Sequence, residues 1–210
     1  ADIHEQGGTD VQEIAGLAAS LAEAMRLHGA DAVCKHMVID MAADRDSHLT
    51  IAKFRAARRI VLRIADAFGA DGADIPLCAV TSLRMMQTKD AWTNLLRVMS
   101  AGFGAIIGGA DMVTTRPFTD GLGQATPFAH RIARNMQLMM MEESHLGQVS
   151  DAAFGSYWHE RITEDLAQTA WKLFQQIESE GGMTAYLESG QFKAALDTSI
   201  TERDAQNAPV

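Results

Sequence analysis

Apolar side chains recur along most of this chain at the spacing of amphipathic helices. The clearest case runs from Val11 to Met25, where apolar residues return every three or four positions and Gly29 follows as a stop. The same spacing predicts four later helices, over residues 47–68, 92–106, 127–140 and 163–179. The chain is therefore predicted to be rich in helix.

Capping residues mark where two of these helices begin. Ser47 is a candidate cap for the second helix, and Thr126 followed by Pro127 has the order of a cap and a first-turn proline. In the helix over residues 92–106, large apolar residues predict the buried face. They are Trp92, Leu95, Leu96, Met99, Phe103 and Ile106.

Short apolar runs between the helices predict strands over residues 33–41, 76–82 and 111–115. Strands that alternate with helices are typical of βα units on a parallel sheet. If residues 1–3 end another strand, the chain has four such units, whereas a closed (β/α)8 barrel needs eight and about 250 residues. We therefore predict an α/β fold made of the last four βα units of a TIM-type barrel, plus a C-terminal helical extension. A single domain would span 1–210, with the units over about 1–148 and the extension over 149–210.

Composition excludes several classes of protein. The 210 residues are 47% apolar and carry a formal net charge of -9, so a basic nucleic-acid footprint is not expected. No apolar run approaches the ~18 residues of a membrane span, and residues 1–4 do not resemble a leader. We expect a soluble, cytoplasmic chain that makes no membrane contact. Because it begins without Met, we also expect it to be processed or to be a piece of something longer.

Two sets of residues could carry chemistry. Cys34 and Cys78 lack the spacing of a disulfide framework or a CxxC site, so we expect two buried thiols. Five potential metal ligands lie near the end of the first predicted strand, where barrel sites occur. They are His36, Asp40, Asp44, Asp46 and His48. Their spacing favours strand, turn and cap positions, so no metal site is predicted.

A cationic stripe follows on the next predicted helix. It consists of Lys53, Arg55, Arg58, Arg59 and Arg63, of which residues 55, 59 and 63 share one helical face. Such a stripe could bind a phosphate-bearing ligand or an acidic partner, or it could be an ordinary solvated face.

The strongest signal is a long ordered motif over residues 131–183. This segment reads RIARNMQLMMMEESHLGQVSDAAFGSYWHERITEDLAQTAWKLFQQIESEGGM. It resembles the end of the acyl-CoA-binding barrel of the methylmalonyl-CoA mutase family, whose pattern runs RIARN, EE, D-P-x-G-G-S-Y-Y-x-E, LT, LA, AW, IE and GGM. Further matches cover residues 42–44, 51–58 and 94–97, together with Met85, Met86, Asp90 and Trp92. The opening His4, Gly7, Gly8, Gln12 and Glu13 also match, so the resemblance covers essentially the whole chain. Ala152 and Phe154 depart from the family's box.

Within that family the chain is most similar to the small, non-catalytic subunit of heterodimeric bacterial mutases. The catalytic form carries a segment like S-L-H-T-N-A-L-D-E-A that contacts cobalamin, whereas residues 112–119 here read MVTTRPFT. The catalytic form also has Arg and Ser against the acyl-CoA where this chain has His36 and Val38.

The resemblance implies a place in an adenosylcobalamin-dependent isomerisation of methylmalonyl-CoA and succinyl-CoA. His4 matches the histidine that hydrogen-bonds the migrating carbonyl, a role expected to be vestigial here; His36 and Lys53 are the candidate substrate contacts. The implied partner is the catalytic large subunit in a heterodimer, or a second copy in isolation. The cofactor would be bound by the assembly rather than by this chain. The alternative is an acyl-CoA-binding barrel fragment with its own site, built from His4, His36 and the Lys53 to Arg63 cations.

Overall fold

Helices dominate the computed structural model, which describes residues 2–72, 75–123 and 125–206. The helix predicted over 11–25 is confirmed, and it ends where Gly29 takes a positive φ of 83°. The α-helices of the described residues are α1 (Asp2–Glu5), α2 (Asp10–His28), α3 (Ala30–His36), α4 (Ser47–Ala67), α5 (Thr93–Ile107), α6 (Pro127–Leu138), α7 (Tyr157–Ser179), α8 (Met183–Glu188) and α9 (Gln191–Gln206).

A small parallel sheet lies between these helices. Its strands are β1 (Ile39–Ala43), β2 (Leu77–Thr81) and β3 (Met112–Thr114), in the order β1-β2-β3. Ile39 stands opposite Leu77, and Cys78 stands opposite Met112. Helix α4 connects β1 to β2 and α5 connects β2 to β3. The predicted α/β class with a parallel sheet is therefore confirmed.

The strand predicted over residues 33–41 is wrong in its first half. Residues up to His36 belong to α3, and β1 begins only at Ile39. Val33 and Cys34 are buried because α3 packs against α2. A short apolar run fits either a buried strand or a buried helix, and only the pairing with β2 separates the two.

The strand expected at residues 1–3 is also corrected. Asp2–Glu5 is helical and Ala1 lies outside the described residues, so the described chain has three strands rather than four. On the side of β1 that faces away from β2, side chains hydrogen-bond to the backbone of Ala42. The Ala42 N–H donates to Glu13 Oε1 at 2.9 Å, and the Ala42 carbonyl accepts from Lys53 Nζ at 2.9 Å. These contacts hold the backbone groups that a neighbouring strand would otherwise pair.

Three predicted helix starts can be compared with the structure, and one of them, at α6, is confirmed. Thr126 caps α6 as predicted, because its side chain accepts from the Ala129 N–H. The cap of α4 is Asp46, which accepts from the Leu49 N–H, and Ser47 is the first helical residue. Helix α7 begins at Tyr157, earlier than the predicted residue 163.

The buried face of α5 differs from the predicted stripe. Trp92 and Leu96 are 62% and 70% exposed, whereas small residues such as Ala101 and Ala105 are fully buried. A Cβ at Gly104 would lie only 2.9 Å from the Ser47 carbonyl oxygen. Helix α5 therefore approaches α4 through its small residues, and part of its large apolar surface faces outward.

Helix α4 lies at the centre of the packing. Residues 50–57 are all buried, and α4 packs against α2, α5 and α7. Helix α7, from the predicted C-terminal extension, also packs against α2 and so belongs to the same core. Cys34 and Cys78 are buried, as expected, and no disulfide joins them in the described residues. None of the described helices combines the length and apolar content that a membrane span requires.

Candidate functional site

Polar residues that follow β1 and β2 meet at the carboxyl edge of the sheet. Asp44 comes directly after β1 and Ser82 directly after β2. His4 of α1 reaches both, with Nε2 2.9 Å from Ser82 Oγ and 3.7 Å from Asp44 Oδ2. Ligands of parallel α/β sheets bind outside this edge. His4 is therefore positioned where a functional histidine would be expected.

The surroundings of His4 favour the neutral imidazole. The side chain is 2% exposed, and burial together with the positive charges of Lys53 and Arg84 lowers its pKa below the usual value. Its Nδ1 is buried and has no hydrogen-bond partner in the described part of the chain. The Nδ1 of a neutral ring could donate or accept a hydrogen bond with a ligand, provided that the ligand can reach it.

Two arginines and helix α9 cover this edge. Arg84 donates through Nη1 to the His4 carbonyl and to the Gly8 carbonyl, the latter at 3.0 Å. Arg203 of α9 donates to the Gly7 carbonyl at 3.1 Å. The cavity beside His4 measures about 280 Å³, and both arginines and Asp44 line it. It accommodates a small polar group rather than an extended ligand.

Lys53 lies just behind His4 and is 1% exposed. Its ammonium donates to Asp10 Oδ1 at 2.9 Å and to the Ala42 carbonyl, and it forms an ion pair with Glu13. We call these four residues the lysine centre. Burial alone would lower the pKa of Lys53, but the two carboxylates outweigh burial and raise it above the ordinary lysine value. The ammonium is therefore charged and fully enclosed.

One group of three side chains in the described residues has the spacing of metal ligands. His4, Asp10 and Glu13 each offer a ligand atom, and these atoms lie within 4.8 Å of one another. The Lys53 ammonium already contacts both carboxylates. A metal ion would have to displace a buried cation that the chain itself supplies, so this cluster is satisfied without a metal.

His36 lies apart from the other predicted site residues. It ends α3 and is exposed at the amino end of β1, whereas His4 lies at the carboxyl end. Five strand residues separate the two ends, about 16 Å at the usual rise per residue. The structure therefore brings His4 and Lys53 together but leaves His36 at the opposite edge.

The five candidate metal ligands are likewise not gathered in one place. Asp44 lies beside His4, Asp46 caps α4, and His48 contacts His159 of α7. The local sequence pattern did not reveal Glu13 and Arg84, which complete the site. Ser82 was open to recognition, because it closes a predicted strand.

Most of the cationic stripe on α4 is paired with residues of other elements, and Arg63, at 71% exposed, is its most solvated member. Arg55 is 7% exposed and donates to Asp151, Glu160 and Thr163, at 3.0, 2.6 and 3.1 Å respectively. We call these four residues the arginine centre. The other arginines also pair with carboxylates, namely Arg58 with Asp111, Arg59 with Glu160 and Glu164, and Arg63 with Asp66. Arg55, Arg58 and Arg59 therefore attach α4 to its neighbours, whereas Arg63 and Asp66 both lie on α4.

Comparison with known proteins identifies the family. A family model described as Methylmalonyl-CoA mutase matches residues 1–208. The chain belongs to the methylmalonyl-CoA mutase family. The methylmalonyl-CoA mutase small subunit of Streptomyces virginiae is 44% identical over 95% of this chain and 33% of that protein. The protein of the same name from Propionibacterium freudenreichii subsp. shermanii is 39% identical over 95% of this chain and 33% of its own length.

Relatives without the subunit designation are also similar. The methylmalonyl-CoA mutase of Rhizobium meliloti (strain 1021) is 32% identical over 97% of this chain and 30% of that protein. The chain thus spans about a third of the length of the curated mutases that it matches. The family resemblance, and within it the greater similarity to small subunits, is confirmed.

Proposed function

We propose that this chain is part of the small subunit of an adenosylcobalamin-dependent methylmalonyl-CoA mutase, where it acts as a structural partner of the catalytic large subunit. The assembly would interconvert methylmalonyl-CoA and succinyl-CoA in the cytoplasm. Relatives at 39–44% identity carry the small-subunit name, which supports a partner role. The chain alone is proposed to be inactive.

The lysine centre is the observation that carries this proposal. At the edge where a substrate would bind, the enclosed ammonium of Lys53 already contacts Asp10, Glu13 and the Ala42 carbonyl. A group committed in this way contributes to packing and orientation. It would reach an acyl-CoA only after a buried ion pair had opened, which is costly.

The residues after β3 do not fit a cobalamin site. Arg116 turns back onto the sheet, donating through Nε to the Thr81 carbonyl at 3.0 Å and forming an ion pair with Asp120. Phe118 is buried and stacks on Trp92 with ring centroids 4.9 Å apart. The space beside the segment after β3 is therefore occupied by the protein's own side chains. When bound elsewhere in the assembly, adenosylcobalamin would supply the radical chemistry.

We also propose that the described sheet is part of a larger (β/α)8 barrel. Parallel strands joined through helices are the repeating unit of that fold. Among the described strands β3 has no neighbour on its outer side, and exposed sheet edges are normally covered. On this proposal residues 1–210 form a single domain, with its C-terminal extension from 149 packed on the unit that contains α4.

The roles of the three candidate site residues stay predictions. His4 holds the position of the carbonyl donor, but its Nε2 contacts Ser82, which supports a vestigial role. His36 and Lys53 as acyl-CoA contacts belong to the alternative function, a fragment with its own ligand site. Two experiments distinguish the partner function from the alternative.

Co-purification with a catalytic large subunit tests the partner function directly. The chain and a tagged large subunit are mixed and separated by size-exclusion chromatography. We expect a complex that elutes ahead of either component. A chain that elutes unchanged at every ratio tested would contradict the proposal.

Calorimetric titration of the chain alone tests the ligand-binding alternative. Methylmalonyl-CoA and adenosylcobalamin are added separately, with coenzyme A as a control for the nucleotide moiety. The partner function predicts no binding heat from any of them. Heat from the acyl-CoA that disappears in His36→Ala, at an exposed position, would favour the alternative instead.

A further inference from the structure

Two histidines from different helices meet on the surface of the chain and are not part of the His4, Asp10 and Glu13 cluster. His48 lies in the first turn of α4 and His159 in the first turn of α7. His48 Nδ1 is 3.0 Å from His159 Nε2. The ring centroids are 5.2 Å apart and the planes are tilted by 38°, so the rings face each other through nitrogen-bearing edges.

Ser156 orients the second of these rings. Its Oγ lies 3.0 Å from His159 Nδ1, the nitrogen that points away from His48. We assign the His159 Nδ1–H as the donor to Ser156, which leaves the Nε2 lone pair directed at His48. Two ring nitrogens this close need either a hydrogen or a metal ion between them. Without a metal, the Nδ1–H of a neutral His48 donates to His159 Nε2.

The spacing also suits a metal ion. Two zinc–nitrogen bonds of about 2.0–2.1 Å at a tetrahedral angle place the nitrogens about 3.3 Å apart, close to the observed separation. We propose that His48 and His159 form a binding site for a divalent transition-metal ion of the zinc class, with water completing the coordination. Ser156 would act as a positioning residue, because a ligating imidazole is normally fixed through its other nitrogen.

The charges around the pair are compatible with this site. Burial, with the nearby charges of His48 and Arg55, lowers the pKa of His159, so the neutral ring that binds metals is favoured at neutral pH. Arg55 is itself paired with Asp151 and Glu160, which moderates its repulsion of a cation. His48 is exposed, so ions and water can reach the pair.

A bound ion would link α4 to α7. It would add a further cross-connection beside the packing of the two helices, the arginine centre and the ion pairs of Arg59. Binding to the folded state alone raises stability with the concentration of free metal. This inference is independent of the proposed mutase function, since the pair uses none of the residues discussed for it.

Zinc chloride titrated into the 210-residue chain tests the site, with calorimetry and thermal unfolding as readouts. We expect one bound ion per chain and an unfolding temperature that rises with zinc. His48→Gln and His159→Gln should each weaken zinc binding at least tenfold and remove the thermal shift. Ser156→Ala should weaken it about tenfold, as loss of an orienting partner does.

Two controls keep the outcome decisive. His130→Gln alters an exposed histidine on α6 and should leave zinc binding unchanged. Magnesium, which prefers oxygen ligands, should cause no shift. Zinc affinity that is equal in the wild type and in the doubly substituted His48→Gln, His159→Gln chain would overturn the proposal. So would the absence of zinc binding by the wild type at about 1 mM.

Discussion

Helix α4 carries two buried cations that are bound in different ways. Lys53 and Arg55 are two residues apart, so the helix turns their side chains about 200° from each other. Lys53 points toward α2 and β1, where Asp10, Glu13 and the Ala42 carbonyl surround a single ammonium. Arg55 points toward the C-terminal segment, where its guanidinium contacts Asp151, Glu160 and Thr163.

The difference lies in the burial of the partners. Glu13 is 3% exposed, whereas Asp151 and Glu160 are 40% and 32% exposed. Water can reach the two carboxylate partners of Arg55 but not Glu13, although Asp10, the other carboxylate partner of Lys53, is 26% exposed. The lysine centre therefore acts as an all-or-none structural unit, whereas the arginine centre is an adjustable attachment of the C-terminal segment.

The largest expected effect comes from breaking the lysine centre. Lys53→Met should lower the free energy of unfolding by about 3–5 kcal/mol, because Glu13 would stay buried without its ammonium partner. Urea unfolding measures this. Adding Glu13→Gln to Lys53→Met should recover part of the loss. As a matched control, Lys172→Met on the exposed side of α7 should change stability by less than about 0.5 kcal/mol. A loss below about 1 kcal/mol for Lys53→Met would mean that the centre is not an all-or-none unit.

The second-largest effect is expected from acid, which should weaken the lysine centre. Burial would raise the pKa values of Asp10 and Glu13, but Lys53 outweighs burial and holds both below their usual values. Their stabilising contribution is therefore present above the ordinary carboxyl pKa of about 4 and is lost as the pH falls further. Urea unfolding at several acidic pH values should show a decline that is shallower in Glu13→Gln than in the wild type. Equal slopes would show that Glu13 does not contribute to the acid sensitivity.

A smaller effect is expected at the arginine centre. Arg55→Lys keeps the charge but loses the planar fork that reaches three partners, so we expect a loss of about 1–2 kcal/mol. Hydrogen exchange should also rise at the start of α7, next to Glu160 and Thr163, and stay unchanged in α2. If exchange rose equally in both helices, the two centres would not be separate units.

The smallest effect is expected at an exposed ion pair that serves as a reference. Arg26 of α2 and Glu178 of α7 form two hydrogen bonds, at 2.6 and 3.1 Å, with the arginine 43% exposed. Glu178→Gln should cost only about 0.2–1 kcal/mol and lose most of its effect in high salt. Thermal unfolding with and without salt checks this. A salt-insensitive loss as large as that of Lys53→Met would remove the contrast between buried and exposed pairs.

Local pattern predicted most helices but not the faces that they bury. The stop at Gly29 and the cap at Thr126 depend on a few neighbouring residues, and both were predicted. The α5 stripe was wrong because the close approach to α4 needs small residues, which a search for large apolar side chains overlooks. Residues 33–36 were assigned to a strand because nothing in that short run shows whether its neighbour is β2 or α2.

The candidate site was only partly readable for the same reason. His4 was singled out through the family resemblance and Lys53 first as part of the cationic stripe. Glu13 was not singled out as a site residue, since it looks like an ordinary polar position on an amphipathic helix. Its function as a partner appears only when α2 lies against α4 and β1.

By itself, the sequence determined the family, the parallel α/β class and the approximate positions of most helices. These follow from ordered motifs and from periodicities within about twenty residues of chain. Only the tertiary structure decided that Lys53 and Arg55 are internal cations, that α7 joins the core, and that His36 lies away from His4. The physical reason is that a charge is enclosed by partners distant in sequence, and their position depends on how whole helices pack.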